Sequence, residues 1–229
     1  VEAADALVID DGVGVIRKIP RHAHDRNVWR ARVAGELKAS GQLTFSGKAS
    51  ATGNIDTYIR GKLQNRSPED REHWMAEFLG RFLPKLDLGT HRVDFLEGPG
   101  DSLSIQYQGE LDNFGVRTAG RLFVNPNMFR RKTSDDIPRE SKRRYPVHYP
   151  YGFVEMDSVS VRLPEGFQLE AAPDSVVLIS SFATYQTGYT IADGQFHHSR
   201  NLQWVAPDIP LSEYEAYLDF LREVVRIDN

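Results

Sequence analysis

The chain is punctuated into short alternating or β-branched runs, with Gly, Asn and Asp between them. They lie at residues 13–16, 28–33, 41–47, 103–111 and 116–124, and again at 158–163, 176–179, 182–189 and 195–205. Strand side chains alternate between two faces, so runs of this length and period specify strands more readily than helices. The pattern commits the chain to a mainly β, α+β class with two helical exceptions. Ser67 can cap a helix that Pro68 opens, and Trp74, Met75, Phe78, Leu79 and Phe82 then share one face, giving a helix over 67–83 that stops near Pro84. A second helix, over 212–226, opens on a Ser212-x-x-Glu215 capping box and turns Tyr214, Tyr217, Leu218, Leu221 and Val225 toward a sheet.

Between Asn125 and Arg144 apolar residues thin out and Pro, Asp and basic side chains gather. Such composition suits an exposed connection, so three parts are expected: an antiparallel β-rich unit with its helix at 1–128, a charged linker at 129–143, and a β-sandwich-like unit with the C-terminal helix at 144–229. The 229 residues, 40% of them hydrophobic, suffice for a real core. With 28 basic against 32 acidic side chains, no overall field favours nucleic acid or an anionic membrane, and no apolar run reaches the ~20 residues of a spanning helix. Neither nucleic acid nor membrane insertion is expected.

Few residues are spaced for chemistry. There is no cysteine, hence no thiol nucleophile or disulfide, and no Gly-x-Ser-x-Gly elbow. His22 and His24 would share a face on a strand, as metal ligands must, but the segment reads as a solvated loop and no third ligand stands at metal spacing. His197 and His198 are adjacent and so point to opposite faces. Asp87, Asp94, Glu97 and Asp101 would make a glycosidase pair only if two met across a cleft, and Gly98-Pro99-Gly100-Asp101 reads as a turn. No cofactor motif is present, and no catalytic or metal-binding residue is assigned. The binding candidates are Tyr145, Tyr149 and Tyr151, whose rings would stack on a ligand if exposed together, although the core is their commoner place. Arg130, Arg131, Arg143 and Arg144 in the basic cluster are candidates for partner docking, with a solvated linker as the plainer explanation.

Four stretches in the C-terminal third carry a resemblance: Arg143-Arg144-Tyr145-Pro146-Val147, Leu163-Pro164-Glu165-Gly166, Arg200-Asn201-Leu202 and Ser212-Glu213-Tyr214-Glu215. Earlier in the chain Ile19-Pro20, Asn27, Gly41, Gly53 and Arg60 extend it. In this order they resemble the β-rich region that follows a transglutaminase-like core in exported bacterial proteins, a region described as a domain of unknown function. The catalytic Cys-His-Asp set of such a core has no matching positions here. The resemblance implies a non-catalytic accessory region, extracytoplasmic and periplasmic, whose partner is the neighbouring catalytic domain of a larger protein and whose work is to support it or restrict access to it. The alternative is an extracytoplasmic module binding a glycan or peptide.

Overall fold

The computed structural model describes residues 4–10, 12–83, 85–94, 96, 102–192 and 194–229. In chain order the elements begin with β1 (Asp5–Asp10), β2 (Val13–Lys18), β3 (Val28–Leu37) and β4 (Leu43–Ala51), then the helices α1 (Gly53–Leu63) and α2 (Pro68–Gly80). β5 (Leu86–Asp94), β6 (Leu103–Leu111), β7 (Gly115–Thr118), β8 (Arg121–Val124), β9 (Val147–His148) and β10 (Phe153–Arg162) follow. The chain continues through β11 (Val176–Ile179), β12 (Ala183–Ala192), β13 (Gln195–Trp204) and β14 (Asp208–Ile209) to α3 (Tyr214–Asp228).

The α+β expectation, dominated by strand, is what the structure has, but its strands are joined differently from the expected two units. Eight of them form a single mixed sheet in the order β11-β12-β13-β10-β3-β4-β6-β5. Each half of the chain supplies four antiparallel strands, and the halves meet where β10 runs parallel to β3, from Val154 opposite Val28 to Arg162 opposite Glu36. Among the described residues no second sheet stacks as a sandwich over 144–229, since β10 to β13 continue the sheet that β3 to β6 begin. Parallel pairing joins strands far apart in sequence, so no local pattern announces it.

One face of this sheet is covered. Trp29, Ala31 and Val33 of β3 share it with Val159 and Val161 of β10 and with Leu202 and Trp204 of β13. α1 and α2 cover the β3 side, where Trp29 meets Phe78 edge to face with ring centroids 5.8 Å apart. α3 covers the β12 and β13 side, where Trp204 meets Tyr217 and Phe220 at 6.0 Å. The two apolar clusters therefore lie side by side under one sheet.

α2 forms as the sequence directs: Ser67 Oγ accepts from the Asp70 N–H at 3.1 Å, Pro68 opens the helix, and Trp74, Met75, Phe78 and Leu79 are buried. Pro84, the expected stop, is outside the described residues, as are Glu97 and the turn at 98–101. α3 is also present, but the capping box is not. Residues Leu211–Glu213 form a 3-10 turn, and no side chain caps the helix behind it. The buried stripe also shifts, with Val224 rather than Val225 in the core.

α1 had no counterpart in the expected elements, because its start is set from elsewhere in the chain. Gly53 takes φ +61°, and a Cβ there would come within 2.4 Å of Asn27 Oδ1. That oxygen accepts the Asn54 N–H at 2.8 Å, while Asn27 Nδ2 donates to the Gly152 carbonyl at 2.9 Å. One buried amide thus fixes the beginnings of β3, α1 and β10 relative to each other.

A buried ion network and an open polar face

The most concentrated chemistry lies at the seam between the two apolar clusters. Arg200 is 1% exposed, and its neighbours in register are Asp157 of β10 and Thr187 of β12. Its guanidinium donates to Asp157 Oδ2 at 3.2 Å and to Glu155 Oε2 at 3.4 Å. On its other side it reaches both oxygens of Asp228, at 3.2 and 3.3 Å. Asp228 also accepts from the Tyr185 hydroxyl at 2.6 Å and from the Lys132 backbone N–H at 2.8 Å. Glu155 receives a second cation, Arg130 Nη1 at 3.0 Å, and that guanidinium lies 5.2 Å from the Trp29 ring centroid and 5.5 Å from that of Phe82. Last-helix, central-strand and connecting-segment side chains are therefore tied at one point.

Three carboxylates face two guanidinium groups here, so the cluster carries one negative charge more than it balances. Burial drives Glu155 toward its neutral form, yet Arg130, Lys132 and Arg200 outweigh that and hold it below the ordinary carboxylate range. Asp157 absorbs the surplus. Burial, aided by the Glu155 charge and opposed by Arg200 and Arg130, pushes it up to about 7, and its Oδ1 is enclosed without a hydrogen-bond partner. Burial works against the charge of Arg200, but Asp228, Glu155 and Asp157 together hold it above the usual arginine value. Next to it, burial and the Arg200 charge push His198 down to about 4, so the ring is neutral at pH 7, with Nε2 3.0 Å from Thr187 Oγ1.

The basic candidates separate in this setting. Arg130 belongs to the interior network, whereas Arg131, Arg143 and Arg144 are exposed. Arg143 lies 5.8 Å from the Tyr214 ring centroid, beside a shallow hollow of about 460 Å³ that Leu218 and Arg222 also line. The segment 129–143 is anchored along its length: Phe129 is in the core, the Lys132 carbonyl accepts from Asn229 at 2.8 Å, and the Glu140 carbonyl accepts from the Tyr214 hydroxyl at 2.7 Å. Its charges meet partners that lie far away in sequence, so composition alone gave it the look of a solvated linker.

The three tyrosines are not brought together as a platform. Tyr145 is 76% exposed, but Tyr149 packs on Trp204 at 4.8 Å and hydrogen-bonds the Tyr217 hydroxyl at 3.0 Å, while Tyr151 packs against the first apolar cluster. Only Val147 and His148 of the segment form strand, paired with β14. His24 sits in a 3-10 turn against Gly152, and no group of three or more potential metal ligands occurs among the described residues. Asp94 is bound by Arg92 at 2.5 Å and by Gln106 at 3.1 Å.

The resemblance positions occupy structural junctions. Gly41 has φ +94°, and a Cβ there would lie 1.9 Å from the Gly115 carbonyl oxygen. Arg60 pairs with Asp56 at 2.7 Å, and Asp56 Oδ1 accepts the Leu103 N–H at 2.8 Å. Sequence reasoning missed the network, although a signal was there. Glu155 and Asp157 share strand parity with the core residues Val159 and Val161, and Arg200 shares it with Leu202 and Trp204.

Two further surfaces complete the inventory. The uncovered face of the sheet is polar, with Arg32, Lys48, Ser158, Gln106 and Arg92 in neighbouring register positions. The β1–β2 hairpin, in contrast, is apolar and, among the described residues, pairs with no other strand. Leu7, Ile9 and Ile16 on one side of it are 67%, 72% and 72% exposed, and Val8 and Val15 occupy the other.

A large mixed sheet with helices on one face and a largely buried ion network makes this an α+β protein. Residues 120–229 match a family model described as a domain of unknown function with a solved structure (DUF3858), and every charged member of the network lies within that stretch. Among solved structures, a Parabacteroides distasonis protein described as a "putative protease" aligns at 20% identity over 40% of this chain and 18% of that chain. Its TM-score of 0.36 is too low to bear on the fold. No curated protein matches the chain. No helix among the described residues is long and apolar enough to cross a membrane.

Proposed function

We propose that the chain is a non-catalytic accessory region of a larger exported bacterial protein, one that packs against a transglutaminase-like or cysteine-protease-like core in the periplasm and orients it. The observation that carries this reading is the β1–β2 hairpin. A two-stranded hairpin is marginal on its own, and this one is apolar on both sides. Covering Leu7, Ile9 and Ile16 would gain on the order of 5 kcal/mol at ~1.5–3 kcal/mol per large aliphatic side chain, enough to hold a tethered neighbour in place. The charged network lends support of another kind: Arg200 and the three carboxylates are spent on one another inside the fold. Cysteine chemistry would come from the neighbour.

The test is titration calorimetry of this chain against the separately expressed catalytic unit of the same polypeptide, with the Leu7→Asp/Ile16→Asp double variant alongside. Association that the variant abolishes, at an unchanged melting temperature of the main sheet, is the expected result. Association that the variant leaves intact overturns the docking role. Turnover by the chain alone that a single substitution removes overturns the accessory role.

A further inference from the structure

The uncovered face of the eight-stranded sheet holds an unusual local arrangement. Arg32 of β3 and Lys48 of β4 stand directly opposite each other in antiparallel register, both exposed. Like charges in that position repel across the ~5 Å between directly opposed residues and weaken the strand pair. Neither side chain has an ion-pair partner among the described residues, so no carboxylate among them offsets the repulsion. Of the acidic side chains of this face, Asp94 is engaged by Arg92 and by Gln106, while Asp87, Glu36 and Glu110 are at the far end, Asp87 opposite Glu110, Glu36 near Arg162 at 3.8 Å and Glu110 near Thr44 at 3.2 Å.

Arg30, two residues before Arg32 on the same face of β3, and Arg92 add to the positive charge, and between these cations the face is lined by hydroxyls and amides. Gln106 adjoins Lys48 in register, Ser158 adjoins Arg32, and Gln108 and Ser160 occupy the next row. The surface is concave, with a volume of about 620 Å³. Among the residues that line it, Tyr107 is 2% exposed with its ring turned to the covered face beside Gly47, and His91 lies opposite Tyr107 in register. Among the described residues the open-face strand positions carry no phenyl, phenol or indole ring, and His197 is engaged by Ser160 Oγ at 2.9 Å. Neutral sugars and nucleic-acid bases are commonly held by stacking on aromatic rings, which this face does not offer. A ligand that fits must bring fixed negative charge for Arg32 and Lys48 together with groups that both donate and accept hydrogen bonds, for the Ser and Gln side chains.

From this complementarity we infer that the open face binds an acidic oligosaccharide, a chain of sugar units bearing carboxylates. One carboxylate lies between Arg32 and Lys48, and ring hydroxyls of the flanking units hydrogen-bond Ser158, Ser160, Gln106 and Gln108. The ligand neutralises the opposed cations, and its hydroxyls replace the water that otherwise hydrates the face. This site lies on the uncovered face of the large sheet, involves none of the hairpin, and stands or falls independently of the docking role.

The experiment is calorimetric titration of the chain with oligogalacturonate of about six units at low ionic strength, using a neutral oligosaccharide of equal length and an oligoglutamate as comparators. The expected result is saturable binding of the oligogalacturonate, weakened roughly ten-fold or more by Arg32→Gln and again by Lys48→Gln, as loss of a charge-assisted contact predicts. Both positions are exposed, so the variants should melt with the unaltered chain, and a melting curve on each verifies that the fold is kept. No binding of the acidic sugar overturns the inference. So do binding that both variants leave unchanged and equal or tighter binding of oligoglutamate, the last assigning the face to an acidic polypeptide.

Discussion

Replacing Asp157 by asparagine should stabilise this protein, and should do so more at high pH than at low. The carboxyl is buried beside Glu155 in a cluster with one negative charge in excess, and its folded pKa is pushed up to about 7 from an ordinary 3.8. A carboxyl raised in this way binds its proton more tightly in the folded chain than in the unfolded one. Stability from this group is therefore present at low pH and is lost as pH rises from about 4 through 7. At ~1.4 kcal/mol per pH unit, keeping Asp157 ionised costs about 4 kcal/mol at pH 8 and about 1 to 2 kcal/mol at pH 5. Asparagine is nearly isosteric with the neutral acid, and its side-chain carbonyl can still accept from Arg200. Urea unfolding of both proteins should thus show the Asp157→Asn chain more stable at pH 8 by an amount of that order, with the gap narrowing toward pH 4. His198 runs in the opposite direction. Its folded pKa, about 4, is below its usual 6.5, so its contribution is lost as pH falls between those values. Being common to both proteins, it flattens the original's curve, gives the variant's curve its slope, and cancels from their difference. A variant less stable than the original by a similar amount at pH 5 and pH 8 would refute the reasoning, because it would mean that an ionised Asp157 is required to hold Arg200.

Three further substitutions examine the junctions. Arg200→Ala leaves Glu155, Asp157 and Asp228 buried without their shared cation and should cost about 3–5 kcal/mol in urea unfolding, close to all the stability of a marginal domain. Asn27→Ala strips the Asn54 N–H and the Gly152 carbonyl of their partner, so a loss of about 2–4 kcal/mol is expected, with accelerated amide exchange at the start of α1. Gly41→Ala combines a positive φ with a Cβ 1.9 Å from the Gly115 oxygen, and thermal unfolding should show a loss of more than about 2 kcal/mol or no cooperative transition.

What the sequence disclosed and what it withheld divide along the range of the interactions. β6 at Leu103–Leu111 and β11 at Val176–Ile179 coincide with runs visible in the sequence, and α2 carries its cap and its Pro within three residues of its start. The stretch 116–124 was legible as strand but not as the β7–β8 hairpin, whose turn places Ala119 and Gly120 at positive φ. α1 was hidden because Asn27, 27 residues before Asn54, supplies its cap. Tyr145, Tyr149 and Tyr151 do not share a face, because Pro146 and Pro150 interrupt any ladder there: Tyr145 stays exposed while Tyr149 and Tyr151 pack against different clusters.

The network shows the same limit most clearly. Lys132 and Asp228 are 96 residues apart, and Arg130, over the Trp29 ring, meets Glu155 because β10 pairs with β3 and sets Glu155 opposite Trp29. Charges that read as solvated in a list of residues become internal when their partners arrive from three separate segments. The opposed Arg32 and Lys48 are subject to it as well, since nothing local says that β3 and β4 bring them face to face.

The central claim, that the β1–β2 hairpin is a contact with a neighbouring catalytic unit, is tested most directly by amide hydrogen exchange over residues 5–18. The measurement compares this chain alone with the longer polypeptide proposed to carry it. The account predicts rapid exchange in the isolated chain, where the hairpin has no cover, and strong protection in the longer polypeptide, with β3, β10 and β13 protected in both. Equal exchange of the hairpin in the two would contradict it.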